Sequence, residues 1–251
     1  MSENETAVLA TLTGVSKRFS VGSDREVVAL QDVSLICRAA EWTYIVGGNG
    51  SGKSTLLRVI SGELAPDEGS VVYRTEVQER GIVYVEQGAA PNLVLTMTVY
   101  ENLVISALGC HSRFPGLQQY HRPDLRARFS DVLAQFGMGI ENRLEDQVGL
   151  LSGGQQQAVV AARVLLVKPS VILLDEFTSA LDKRTAPVIL SILKQTARSA
   201  GAAIVAVTHD FHWIESTGDR VVVMDGGRIK SVVHRTEHPL TVQSVMEASY
   251  G

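Results

Sequence analysis

The stretch GGNGSGKST, residues 47–55, constrains the fold more than any other part of the chain. It follows WTYIVG, an apolar run that predicts a short buried strand, and it leads into KSTLLRVISG, whose apolar residues recur at helical spacing. The pattern G-x-x-x-x-G-K-S/T at a strand-to-helix turn is that of a phosphate-binding loop. Glycines let successive backbone N–H groups face one anion, and the helix N-terminus adds its positive end. An α/β fold with a nucleotide site is therefore expected.

The residues of this phosphate loop are the first candidate ligands. Lys53 would bring its charge to the β- and γ-phosphates, and the Ser54 hydroxyl would ligate Mg²⁺. The complete set is Gly47, Gly48, Asn49, Gly50, Ser51, Gly52, Lys53, Ser54 and Thr55.

Polar side chains follow three other apolar runs. VILLDE ends in Asp175, a candidate Mg²⁺ ligand, and Glu176, which could polarise a water for in-line attack on a phosphate. GIVYVEQ ends in Gln87, which could bind both Mg²⁺ and that water, and AIVAVTHD places His209 within reach of a γ-phosphate. Gln87 could instead be a polar strand terminus, and His209 a structural histidine.

Strand and helix patterns alternate along the chain. LATLTGVSKRF, VVALQDVSLICR and GSVVY predict further strands, and RVVVMDGGRIKSVV predicts a hairpin with its turn at Asp225–Gly227. Glycines 62 and 201 are expected to end helices. Such alternation implies a mainly parallel sheet, whose ligands sit at the carboxyl ends of the strands.

A helical segment interrupts this α/β pattern. Thr98 and Glu101 form a capping-box pattern, and no convincing strand follows before Arg163. Within it, the polar stretch Gly109–Arg128 is predicted to be a surface excursion, a loop between helices. The tail from His234 is weakly patterned.

Composition excludes several classes of protein. The net charge of −4 gives no broad basic footprint for nucleic acid. Cys37 and Cys110 have no metal-ligand spacing and are read as reduced thiols. The polar N-terminus is not a secretory signal, and no apolar run reaches the roughly 18 residues of a membrane span. We therefore expect a cytosolic chain to which other subunits would supply any spans.

The motifs, in their order along the chain, resemble those of the ATP-binding-cassette (ABC) ATPases. They are GGNGSGKST, Gln87, LSGGQ at 151–155, VILLDE, SALD at 179–182 and His209, and the resemblance covers Thr11 to about Val233. It implies the α/β fold of a P-loop NTPase (RecA-like), with a mainly parallel sheet core, an antiparallel β edge and an inserted α-helical subdomain. We place a single ATPase domain at residues 6–235, with the core at about 6–92 and 166–235, the helical subdomain at about 93–165, and a tail at 236–251.

The resemblance also implies how the site works. ATP and Mg²⁺ are the expected cofactors, and two ATPase subunits would face each other head to tail, most simply as a homodimer. Ser152, Gly153 and Gly154, with Gln155, would contact the ATP held by the partner, while Asp182 would lie in the loop that crosses the interface. Phe19 takes the place of an aromatic that stacks on adenine, although a core phenylalanine is a rival interpretation.

Two positions depart from the commonest pattern of the family. Phe177 stands where many relatives have proline, and the glutamines 155–157 replace a stretch that often carries a basic residue. Phe177 leaves Glu176 unaffected but could change the shape of the loop leading to Ser179, and the glutamines could weaken an electrostatic contact with the partner's nucleotide; the sequence does not give the size of either effect.

The resemblance favours a transporter subunit. No heptad run of the kind found in chromosome-organising relatives separates the phosphate loop from LSGGQ, and a single cassette argues against the ribosome-associated branch. We expect a peripheral subunit on the cytoplasmic side of the membrane, with separate transmembrane permease subunits and an extracytoplasmic solute-binding protein as partners, and no nucleic acid. Phrases such as EVVALQDVSL, TMTVYENL and DEFTSALD favour import of a small solute. An exporter or lipid-handling complex, and a non-transport P-loop NTPase, remain alternatives.

Overall fold

The computed structural model describes residues 7–24, 26–109 and 123–250. Its strands are β1 Val8–Phe19, β2 Val27–Arg38, β3 Trp42–Gly47, β4 Glu68–Tyr73, β5 Ile82–Val85, β6 Val171–Asp175, β7 Ala203–Val207, β8 Arg220–Asp225 and β9 Arg228–His234. Its α-helices are α1 Lys53–Ser61, α2 Thr75–Arg80, α3 Val99–Gly109, α4 Pro123–Ala134, α5 Gly153–Val167, α6 Thr185–Ala200, α7 Phe211–Thr217 and α8 Val242–Tyr250. Short 3₁₀ helices cover Ile140–Asn142, Val148–Leu150 and Phe177–Ala180.

The central sheet has six strands in the order β5-β6-β7-β3-β8-β9. Every neighbouring pair is parallel except β8 and β9, which form the predicted antiparallel hairpin. A second, antiparallel sheet has the order β2-β1-β4. The predicted fold class is thus confirmed. Because β5, β6, β7 and β3 all run the same way, the residues that follow them meet at one edge of the sheet.

Two apolar layers cover the central sheet because successive side chains on a strand point to opposite faces. On one face, Ile45, Leu173 and Val205 pack with α1 and the antiparallel sheet. On the other, Tyr44, Leu174 and Ala206 pack with α5, α6 and the helical segment. Helix α1, which follows the phosphate loop, therefore packs on the first face of the sheet, and the helical segment packs on the second.

Several local predictions are confirmed. Gly62 and Gly201 end α1 and α6 in the left-handed conformation. The backbone N–H of Thr98 donates to the Glu101 carboxylate, and the Glu101 N–H donates to the Thr98 hydroxyl, which is the predicted capping box before α3. Gly226 and Gly227 both have positive φ, as the turn of the hairpin requires.

Four helices differ from the sequence-based expectation, and one of them, α7, was not predicted at all. The polar helix α2 was not predicted, because among its six residues only Val77 is buried and no apolar period marks it. Helix α4 begins at Pro123, so the end of the expected surface excursion is helical, with Phe129 and Leu133 in the core. Residues 110–122 of that excursion, including Cys110, lie outside the described residues.

The tail after His234 contains another unexpected helix, α8. The tail docks through Leu240, which precedes α8, and through Val245 within it, and each of these side chains is only 1% exposed. Two anchoring side chains are too few to produce a helical pattern in the sequence. Among the residues that the structure describes, no helix is both long and apolar enough to cross a membrane.

Candidate active site

The phosphate loop needs glycine at two positions for steric reasons. Gly47 has φ of 154°, and a Cβ there would lie 2.2 Å from the Met224 carbonyl oxygen. Gly52 has φ of 98°, and a Cβ there would lie 2.3 Å from the Ala29 carbonyl oxygen. Both approaches are closer than any side chain tolerates. The two glycines let the turn between β3 and α1 lie against β8 and β2.

Lys53 points back into this loop. Its side chain is largely buried, and Nζ donates to the carbonyl oxygens of Gly47 (2.9 Å) and Gly48 (2.8 Å). Burial lowers the pKa of Lys53 from its ordinary value, while the carboxylates of Glu176 and Asp175 act in the opposite direction. The ammonium group thus lies inside the loop with two acidic side chains nearby, where it can reach an anion that the loop holds.

Glu176 brings together three of the predicted residues. Its Oε1 lies 2.8 Å from Nε2 of His209, and its Oε2 accepts a hydrogen bond of 2.8 Å from the Gln87 amide nitrogen. The backbone of Glu176 is left-handed, with φ of 46°, immediately after β6. Such strain in a non-glycine residue is tolerated when its surroundings fix it, as the contacts of this side chain with His209 and Gln87 do here.

Asp175 makes a different contact, one that the sequence did not reveal. It is buried at the end of β6, and its Oδ2 accepts a hydrogen bond of 3.0 Å from the Tyr84 hydroxyl on β5. Burial and the charge of Asp175 raise the pKa of Tyr84 above its ordinary value, so this phenol stays protonated and donates. The only sequence signal was an aromatic residue three positions before Gln87.

The LSGGQ segment, residues 151–155, begins α5. Ser152 is the N-cap, and its hydroxyl accepts from the Gln155 N–H (3.4 Å) while the Gln155 side chain accepts from the Ser152 N–H (3.1 Å). Gln155 also accepts from Arg143 and donates to the Met138 carbonyl. Gln155, predicted as a nucleotide contact, therefore has a structural role as the second half of a capping box.

The side chains of the next two glutamines point into the protein rather than toward a ligand site. Gln156 donates to the carbonyl oxygens of Val148 and Leu151, and Gln157 is fully buried. Phe177 is only 2% exposed, so the position where relatives have proline carries a core side chain.

Asp182 caps α6. Its carboxylate accepts from the N–H groups of Arg184 and Thr185 and from the Thr185 hydroxyl, and these hydrogen bonds hold its pKa below the ordinary value. Gly154 lies beside it, since a Cβ there would be 3.5 Å from the Thr185 methyl group. The structure thus brings the LSGGQ segment next to the Asp182 loop of the same chain.

The LSGGQ segment and the phosphate loop belong to separate packing units. Helix α5 packs on α3, α4 and α6, whereas α1 packs on strands of the two sheets. Phe19, at the end of β1, is 40% exposed, so its rival interpretation as a core side chain is wrong. The Lys17 ammonium lies 6.0 Å from the centre of its ring.

The residues present fit a nucleotide with Mg²⁺. The Ser51 hydroxyl is buried in the phosphate loop and hydrogen-bonds to no atom of the described residues, which suits a loop that closes around another group. Ser54, Asp175 and the amide oxygen of Gln87 offer the hard oxygen donors that Mg²⁺ prefers. Within the described residues, no cluster of three or more His, Cys, Asp or Glu could hold a metal alone.

Comparison with known proteins identifies relatives of this arrangement. The profile of the ABC transporter family matches residues 30–179, more than half of the chain. A sulfate/thiosulfate import ATP-binding protein of Agrobacterium fabrum is 37% identical over 228 residues, covering 88% of this chain and 62% of that protein. A methionine import ATP-binding protein of Cupriavidus metallidurans is 34% identical over 250 residues, covering 92% of this chain and 68% of that protein. The chain thus spans roughly two thirds of the length of these relatives.

Solved structures agree with the sequence relatives. A dimeric ATP-binding cassette, MJ0796, in a post-hydrolysis state with ADP and Pi aligns with a TM-score of 0.76 and 28% identity, covering 90% of this chain and 98% of that one. A nucleotide-free ATP-binding cassette from an ABC transporter aligns with the same TM-score and 25% identity, covering 98% of this chain and all of that one.

Proposed function

This chain belongs to the ABC transporter family, whose ATP-binding proteins are ATPases, and we propose that it is the ATP-hydrolysing subunit of a transporter that imports a small solute. The observation that carries the proposal is the Glu176 carboxylate, which contacts both His209 and Gln87 beside the phosphate loop. The direction of transport is inferred from the relatives, because the proteins compared above are named import ATP-binding proteins.

The phosphate-binding step follows from Lys53. Its two hydrogen bonds to loop carbonyls would be exchanged for bonds to phosphate oxygens, which carry charge and are stronger acceptors. Backbone N–H groups at the start of α1 have no partner within the helix and would add further donors. The exposed ring of Phe19 would stack on adenine.

Hydrolysis would use Glu176 as the general base. Each carboxylate oxygen already makes one contact, and exchange of either contact would free a further lone pair for the attacking water. A γ-phosphate would draw the His209 N–H toward itself and free Oε1, which then orients the attacking water. Mg²⁺, held by Ser54, Asp175 and Gln87, would neutralise charge on the phosphates. The carboxylate would thus be more available to the attacking water when substrate is bound.

The LSGGQ segment supports a head-to-tail dimer. Ser152, Gly153 and Gly154 lie at the N-terminus of the 15-residue helix α5, which favours phosphate, yet α5 packs away from the phosphate loop of its own chain. A second subunit, identical in the simplest case, would supply the nucleotide, with Asp182 near the interface. One structural relative is a dimeric cassette bound to ADP and Pi, which supports the proposal that two subunits associate.

The membrane subunits would dock near Gln87. A cleft of about 340 Å³ lies between this segment and the helical segment, lined by Glu86, Pro91, Ile105, Arg163 and Val164 among others. Such a mixed polar and apolar cleft suits a helix from a permease subunit. A solute-binding protein on the far side of the membrane would deliver the solute.

Two measurements test the proposal. Purified protein should release phosphate from ATP only with Mg²⁺, and affinity purification of the tagged chain from native membranes should recover permease subunits and a solute-binding protein. Absence of Mg²⁺-dependent hydrolysis, both alone and with the recovered membrane proteins, would refute the ATPase assignment. Recovery of a fused exporter would refute the importer assignment alone.

A further inference from the structure

Tyr84 is the feature of this site that the function above leaves unexplained. Its hydroxyl donates to Oδ2 of Asp175 at 3.0 Å, and within the described residues no other side chain hydrogen-bonds to that carboxylate. We propose that Tyr84 is a positioning residue, which fixes the Asp175 carboxylate in the orientation that binds Mg²⁺. This inference rests on the proposed function and adds a residue to it.

The pairing of β5 with β6 places Tyr84 to reach this carboxylate. Tyr84 lies opposite Leu173 in the parallel register, and Asp175 is two residues further along β6. Residues two apart on a strand share a face, so Leu173 and Asp175 point to the same side of the sheet as Tyr84. The phenol ring therefore extends toward the carboxyl end of the sheet and meets Asp175 diagonally across the strands.

That face of the sheet is also the face on which α1 packs. Leu56 and Leu57 of α1 belong to the same apolar layer as Leu173, with Tyr84 packed against it. Helix α1 carries Ser54, the other predicted protein ligand of Mg²⁺, in its first turn. Tyr84 thus directs Asp175 toward the start of α1.

The hydrogen bond should affect metal binding more than folding. An outer partner that orients a ligating carboxylate typically contributes 10–100-fold to metal affinity or activity. Because Mg²⁺ is held partly by phosphates and water, the lower end of that range applies here. Removing the Tyr84 hydroxyl keeps the aromatic ring and takes away the hydrogen bond to Asp175, together with an interaction between the hydroxyl and Arg58.

The test compares Tyr84→Phe with the matched control Tyr73→Phe. Tyr73 also lies in a sheet and donates to the backbone of α1, at the Ile60 carbonyl (2.9 Å), but it has no hydrogen bond to Asp175. The affinity of each full-length protein for a fluorescent, non-hydrolysable ATP analogue is measured by anisotropy with Mg²⁺ and again with EDTA. The ratio of the two affinities isolates the metal contribution. Thermal denaturation without metal reports on folding.

We expect Tyr84→Phe to reduce this ratio about tenfold while leaving the affinity in EDTA unchanged. Tyr73→Phe should leave the ratio at the wild-type value. In an Asp175→Asn background, Tyr84→Phe should add less than a twofold change, because its effect passes through that carboxylate.

Equal ratios in wild type and Tyr84→Phe would overturn the role of Tyr84, as would an equal loss in both tyrosine variants. Wild-type protein that binds the analogue no better with Mg²⁺ than with EDTA would overturn the proposed function as well.

Discussion

Replacing Glu176 with glutamine tests the centre of the proposed mechanism. The carboxylate accepts hydrogen bonds at both oxygens, from Nε2 of His209 and from the Gln87 amide. An amide keeps the shape but offers one acceptor oxygen, and its NH₂ group faces one of these two donors. It also cannot take a proton from water.

The expected magnitudes differ for turnover and for stability. Loss of a general base lowers the rate by about 10²–10⁴-fold, which is about 2.7–5.5 kcal/mol of transition-state stabilisation. Loss of one hydrogen bond at a partly exposed site lowers the free energy of unfolding by about 0.5–1.5 kcal/mol. For a chain of this size that is a decrease in Tm of a few degrees, roughly 2–4 °C per kcal/mol.

The assay is phosphate release at saturating Mg²⁺ and ATP, alongside equilibrium binding of ATP and size measurement with and without ATP. Glu176→Gln should bind ATP with wild-type affinity and accumulate as an ATP-bound dimer. Glu86→Gln is the matched control, because Glu86 is an exposed carboxylate beside Gln87 whose ion-pair partner is Arg58, at 3.7 Å. Turnover of Glu176→Gln within tenfold of wild type would refute the assignment of the base. A monomer with ATP would refute the head-to-tail dimer for the isolated subunit.

Three further predictions follow from single side chains. Lys53→Ala should weaken ATP binding by about 10–100-fold, the equivalent of one or two charged hydrogen bonds, in an equilibrium titration, and unchanged affinity would remove Lys53 from the site. Ser152→Ala should lose the helix cap, which lowers stability by about 0.5–2 kcal/mol, and should also lose turnover. Ser152→Asp keeps a cap but places a negative charge against the phosphate, so thermal denaturation should find it near wild type while its ATPase activity falls. Full activity in Ser152→Asp would contradict the phosphate contact. Burial raises the pKa of Cys37 to about 12, so iodoacetamide at pH 8 should label its peptide only in denaturant. Because the folded protein binds that proton more tightly, the same shift makes stability fall as pH rises from about 9 toward 12, and native labelling of Cys37 at pH 8 would contradict its burial.

What the sequence could predict depends on how local each signal is. The phosphate loop and the capping box at Thr98 are read from consecutive residues, and the structure shows the expected geometry at each. The meeting of Gln87, Glu176 and His209 is less local, but it follows from one rule, that parallel strands end at the same edge. A motif and a rule of topology were therefore enough for the centre of the candidate site.

Other features depended on pairings that no local pattern encodes. Helix α2 is held by Arg80, whose guanidinium donates to the carbonyl oxygens of Lys168, Pro169 and Ala200, all distant in sequence. The contact of Tyr84 with Asp175 requires the exact register of β5 on β6. Periodicity gives a strand and its faces but not the residue opposite, so neither contact could be read from the chain.

The capping role of Gln155 explains how the LSGGQ segment can both begin helix α5 and bind a phosphate. The Ser152 hydroxyl accepts from the Gln155 N–H, which uses a lone pair and leaves the hydroxyl hydrogen to be donated elsewhere. The capping box also fixes Ser152 at the helix N-terminus before any phosphate arrives, so little side-chain order would be lost on binding. The Gln155 amide is fixed in this position because Arg143 donates to the same oxygen that accepts from the Ser152 N–H, while the amide nitrogen donates to the Met138 carbonyl. Gln155, which was predicted to contact ATP itself, thus orders Ser152 for contact with phosphate. A substitution at Gln155 should therefore act mainly by destabilising the cap of α5, and less through any direct contact with ATP.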